Sequence, residues 1–204
     1  MAFHGPRAGE DSSSNLHPGN RSLFCYWESV RGEAAAPLRL KIDLKRISDI
    51  LPGVIIMERA AEAQSYRCRL SGTGVGELWG ADMTGRDLRD VAGNFEREVL
   101  ARLFDGVFAG LQPFSARLRL FPAGEEPVMV EMLGLPVIAQ SGETQLLGAV
   151  LPMATRRRNR SVGWRNLQIA ATRTIATEHR HLGGRGENEG VRARFRVIEG
   201  GLNL

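Results

Sequence analysis

Few residues in this chain have chemistry to offer, and their spacing limits what each can do. Gly72-Thr73-Gly74-Val75-Gly76 follows an alternating segment and opens a helical one. In that setting backbone N–H groups can approach a pyrophosphate at a helix N-terminus. The dinucleotide fingerprint is not completed, because Glu77 or Trp79 stands where the third glycine belongs and an antiparallel hairpin precedes it instead of a βαβ unit. The plainer reading is a turn and a helix start. All four histidines, His4, His17, His179 and His181, lie near the ends, so residues 18–178 contain none. The body therefore has no imidazole to ligate haem or to complete a Ser-His-Asp or Cys-His constellation. A flavin adduct needs a cysteine on helices facing the ring, whereas Cys25 falls on a leading helix and Cys68 on a strand, where it reads as a small buried hydrophobe. His179-Arg180-His181 offers two alternating nitrogens without further ligands, and Asp82, Asp87 and Asp90 follow no metal-loop spacing. The expectation is no catalytic residue and no metal.

The other chemically marked stretch is basic. Residues 1–154 hold 16 Arg and Lys against 19 Asp and Glu, while 155–204 hold 11 against 4. Arg156, Arg157, Arg158 and Arg160 form the densest cluster, and Arg192-Ala193-Arg194-Phe195-Arg196-Val197-Ile198 alternates basic with apolar residues. Such runs can hold nucleic acid or anionic lipid, can be plain solvated surface, or can pair with a partner as a short strand. No DNA-binding fold accompanies them.

The elements that must position these groups follow from periodicity. The chain of 204 residues, 43% apolar and 25% charged, is long enough for one domain with extensions. It has neither a run of about 18 apolar residues nor the apolar core of a signal peptide, which points to the cytoplasm. Residues 1–20, rich in Ser, Gly, Pro and Asn, predict a disordered lead. From Ser22 as a cap, Leu23, Tyr26, Trp27 and Val30 share one side of a short helix within residues 21–40. Ile42–Leu51 has amphipathic helical spacing up to Pro52-Gly53. Val54–Glu58 and Tyr66–Leu70 predict a hairpin, with Tyr66, Cys68 and Leu70 on one face. Two small helical elements follow, around Val75–Trp79 and Leu88–Val91, and then a long helix over Asn94–Ala109. In that helix Phe95, Val99, Leu100, Leu103, Phe104, Val107 and Phe108 form a wide apolar stripe, with Asn94 as cap and Gly110 as stop. Phe114–Phe121, Val128–Ile138 and Gln145–Leu151 complete a three-strand meander. The result is an α+β architecture, a five-stranded antiparallel sheet with helices packed on one face plus the N-terminal helix. The folded unit spans 41–154 and is followed by a basic, partly disordered tail over 155–204.

Two strands, small helices, a long helix and three strands is the element order of a PAS domain. The segments Tyr66-Arg67-Cys68-Arg69-Leu70-Ser71-Gly72-Thr73 and Glu77-Leu78-Trp79-Gly80-Ala81-Asp82-Met83-Thr84-Gly85-Arg86-Asp87-Leu88 resemble a bacterial subfamily of such domains. That subfamily is typical of alphaproteobacteria and was formerly described only as a domain of unknown function. The resemblance extends over about residues 24–152 and departs from the pattern at Ser71, Gly74 and Gly76. It implies a cytoplasmic sensory or interaction module, often dimeric, able to enclose a small ligand between sheet and helices, and it implies no chemistry.

On that basis the candidate ligand cavity is lined by Tyr66, Trp79, Leu103, Val107, Phe114 and Met132, although the same residues can simply fill a core. Tyr26, Trp27 and Val30 are the candidate interface, since an aromatic stripe on a leading helix covers either the open side of its own sheet or a second subunit. The expected activity is non-catalytic regulation in bacterial signalling, through an unidentified small ligand or a protein partner. A homodimer is expected, and the rival reading is a nucleic-acid or membrane-surface binder acting through the tail.

Overall fold

The computed structural model describes residues 15–60, 65–122, 126–154 and 164–177. Residues 1–14, the arginine cluster at 156–160 and the segment 178–204, for which the sequence raised expectations, lie outside them. Six strands, β1 (Val54–Arg59), β2 (Tyr66–Ser71), β3 (Phe114–Pro122), β4 (Val128–Ile138), β5 (Thr144–Pro152) and β6 (Trp164–Thr174), form one antiparallel sheet in the order β2-β1-β5-β4-β3-β6. The meander is as expected, but the sheet has six strands rather than five. The sixth comes from the stretch assigned to the tail, where basic residues obscured an eleven-residue strand that pairs with β3 and buries Leu167.

The sheet carries a separate apolar layer on each face. On one side lie α2 (Thr73–Trp79), the 3-10 turn Leu88–Val91 and α3 (Asn94–Gly110), packed over Ile55, Met57, Tyr66, Phe114 and Met132. On the other lies α1 (Pro18–Arg31), packed over Val54, Ile56, Leu133, Leu135 and Leu147. The alternation along β1 accounts for both layers: Ile55 and Met57 face one way, Val54 and Ile56 the other, and all four are buried. No described helix is long and apolar enough to cross a membrane.

α1 begins earlier than expected and its buried stripe is rotated. The helix starts at Pro18 instead of after Ser22, with the His17 side chain accepting from the Gly19 N–H at 3.1 Å, and Pro18 suits the first helical position. The cause is tertiary: the carboxylate of Glu131, a buried residue of β4, accepts from the His17 N–H at 2.6 Å and from Asn20 Nδ2 at 3.1 Å. Glu131 is itself 3.6 Å from Arg117, whose guanidinium donates to the Asn15 carbonyl. Residues 15–20, expected to be part of a disordered lead, are therefore held on the sheet, and Leu16 is buried.

Other departures have local causes. Leu44–Gly53 is a 3-10 segment kinked at Ile47 (φ −124°, ψ 26°), not an α-helix. Pro52 lacks the N–H a regular helix needs, and buried Ile47 is drawn into the α1 layer. Leu70 leaves the face it was expected to share with Tyr66 and Cys68. A bulge pairs Ile56 with Leu70 but Met57 with Cys68, so Arg69 is an extra residue and Leu70 turns outward. The cap of α3 is Gly93, not Asn94, and Phe95 is 71% exposed, because the helix meets the sheet only from Leu100 onward. Gly80 does end α2, at φ 68°.

Candidate functional site

The glycine-rich stretch is a packing joint. A Cβ at Gly72 would stand 2.4 Å from the carbonyl oxygens of Leu51 and Pro52, and one at Gly74 would stand 2.9 Å from the latter. The glycines bring α2 onto the 3-10 segment backbone to backbone, and the oxygens there offer an anion no welcome. The departures from the family pattern at Gly74 and Gly76 thus serve close packing for Gly74, while Gly76 approaches the Ala81 carbonyl.

The six expected cavity residues do come together. Tyr66, Trp79, Val107, Phe114 and Met132 are buried in one cluster, with Leu103 partly buried against it. Phe104, between them, lies 5.1 Å from the Tyr66 ring edge-on and 6.0 Å from Phe114. Phe108 stacks on Tyr66 at 5.5 Å. Phe114 also covers its cross-strand partner Gly134, where a Cβ would meet Phe114 Cε1 at 2.2 Å.

Tyr66 is the polar member of this cluster. Its hydroxyl donates to Asp105 at 2.7 Å and lies 3.2 Å from the Ala101 carbonyl, and Asp105 pairs with Arg59. Arg89, clasped by Asp87 at 2.6 Å, sits 4.4 Å over the Tyr66 ring. Burial first, then the Asp105 hydrogen bond and charge, push the phenol up to about 12. The ring of polar contacts ties β1, β2 and α3 together around an un-ionised phenol. Sequence periodicity identified Tyr66 but not Arg59, Asp87, Arg89 or Asp105, which come from β1, the 3-10 turn Leu88–Val91 with its Asp87 cap, and α3. Burial likewise pushes the Cys68 thiol up to about 11, and Sγ donates to the Leu70 carbonyl at 3.1 Å, so it is a poor nucleophile.

The candidate interface residues divide. Trp27 is fully buried within the chain, its Nε1 donating to the Pro136 carbonyl at 2.8 Å. That carbonyl is available because β3 stops pairing with β4 at Gly134. Of the two roles considered for the stripe, Trp27 covers its own sheet. Tyr26 and Val30 are half-buried, and the Tyr26 hydroxyl accepts from the Asp43 N–H at 2.7 Å.

A cleft of about 260 Å³ opens at the end of the sheet, and none of the six expected cavity residues lines it. Its walls come from the 3-10 segment (Asp49, Ile50, Pro52), α2 (Glu77, Leu78) and the strand ends Val128 and Val150–Pro152. Ile50 and Leu151 also touch α1: a Cβ at Gly19 would lie 2.7 Å from Ile50 Cγ2 and from Leu151 Cδ1. No spacing in the sequence announces this cleft, because its lining is gathered from segments up to about 100 residues apart. Among the described residues no group of three or more His, Cys, Asp or Glu could hold a metal ion.

A family model described as the PAS domain matches residues 15–151. The chain belongs to the PAS domain family. The match begins at the residues that Glu131 and Arg117 pin to the sheet and ends in β5, so this PAS domain includes α1 and stops short of β6. No curated protein matches the sequence. A PAS domain indicates a sensory or regulatory module.

Proposed function

We propose that this PAS domain protein is a non-catalytic regulatory module of bacterial cytoplasmic signalling, of the alphaproteobacterial type its motif resembles, and that it responds to a small ligand. The supporting observation is the shared wall. Ile50 and Leu151 line the cleft on one side and press on Gly19 of α1 on the other. A ligand that prefers one packing of these two side chains biases the seating of α1, and only such differential affinity transmits a signal. The aromatic cluster around Tyr66 and Phe104 is the rigid backing against which that shift occurs. Partner proteins would read the outer surface of α1, which carries exposed Arg21, Ser22, Cys25 and Ser29.

Native mass spectrometry of the gently purified full chain, with Val128→Phe as the cleft-filling control, tests this reading. A retained mass that is released on denaturation and missing from the variant supports it. A clean spectrum, together with α1 amide exchange that is identical in both proteins, would reject it.

A further inference from the structure

We propose that the cleft takes a small organic cation, an ammonium or guanidinium group on a short apolar chain. This rests on the ligand-sensing reading above and adds the ligand's chemistry. About 260 Å³ is room for roughly nine waters, or for a compact molecule below drug size. Ile50, Leu78, Val150 and Leu151 make its walls apolar, and among the described residues the only ionisable side chains lining it are the carboxylates of Asp49 and Glu77.

Neither carboxylate is held by an arginine, a condition they share among the described residues with Glu33, Asp43, Asp82, Glu96 and Glu143, none of which lines the cleft. Glu28, Glu58, Asp87, Asp90, Glu98, Asp105 and Glu131 each pair with an arginine. Asp49 and Glu77 form no ion pair among the described residues, and Asp49 accepts only a long 3.4 Å bond from Ser48 Oγ. They come from the 3-10 segment and α2, two adjoining elements of the lining, so a cation entering the cleft gains from both while its apolar part is removed from water. An anion of the same size is repelled, and a neutral molecule gains only from the walls.

The test uses the full chain and three six-carbon probes, hexylammonium, hexanol and hexanoate, followed by methyl NMR of Ile50, Leu78 and Leu151. Hexylammonium is expected to bind about tenfold more tightly than hexanol, the worth of two partly solvated charge contacts, with hexanoate weakest. In the double variant Asp49→Asn, Glu77→Gln, whose side chains are exposed and hold no structural ion pair, the ammonium preference collapses to near parity while hexanol binding persists. About 0.5 M salt has the same effect on the wild type. Equal binding of all three probes to the wild type overturns the cation assignment and leaves a ligand cleft. Absence of any shift with any probe, while Val128→Phe still shifts the same methyls, overturns the ligand reading with it.

Discussion

Replacing Trp27 separates the two roles an aromatic leading helix can have. The side chain is fully buried, stacks on Phe24 at a centroid distance of 6.0 Å, lies 5.2 Å from the Arg31 guanidinium and donates to Pro136 O. Trp27→Ala removes the ring and leaves that carbonyl without its donor, a change that costs about 3–5 kcal/mol. Trp27→Phe keeps most of the apolar volume but loses the donor, for about 2 kcal/mol. With a urea dependence of about 2 kcal/mol per molar, the alanine variant should lower the unfolding midpoint by about 2 M and the phenylalanine variant by about 1 M. Paired urea titrations and sedimentation runs check this. A midpoint that scarcely moves in Trp27→Ala, with the sedimenting mass halved, would refute the reasoning, because Trp27 would then serve a contact between copies.

Tyr66→Phe loses the hydrogen bond to Asp105 and should cost about 1–2 kcal/mol near neutral pH. The folded phenol is pushed up to about 12 from its ordinary 10.0, so the native state holds a proton that the unfolded chain releases first. This stabilisation is complete below pH 10 and fades as pH rises towards 12, and urea midpoints taken across that window should fall more steeply in the wild type than in the variant. Gly134→Ala drives a methyl into the Phe114 ring and should cost about 1–3 kcal/mol, with Phe114→Leu relieving part of it. A double-mutant cycle in which the two changes simply add would sink that contact. A chain ended after Ala154 strips β6 from β3 and removes buried Leu167 and Ile175, so its melting point should drop by about 10 °C or more. A chain ended after Thr177 retains both side chains, and calorimetry should find it close to the full protein.

What could be read in the sequence followed the strength of its local signals. The period-two run of β3, the near-continuous apolar runs of β4 and β5 and the stripe of α3 are strong local signals, so their positions were legible within a residue or two. The aromatic cluster was legible for the same reason: Tyr66, Trp79, Val107, Phe114 and Met132 each mark the inward face of their element. Leu70 was misplaced because one inserted residue, Arg69, reverses the alternation, and composition does not announce a bulge. β6 was hidden because an edge strand can carry Asn, Gln, Thr and Arg along its length and still pair fully with its neighbour.

The sequence by itself determined the class of the protein: the order of strands and helices, the PAS motif, and the want of a histidine anywhere between residues 18 and 178. These are local or compositional properties, present before the chain folds. Only the tertiary structure decided that α1 lies on the sheet's second face, where Glu131 and Pro136 of β4 hold its ends more than 100 residues away in sequence. It also decided that the cleft is lined by the 3-10 segment, α2 and strand ends and not by the aromatic cluster. Both outcomes depend on which surfaces meet, and periodicity records only which face of each element is apolar.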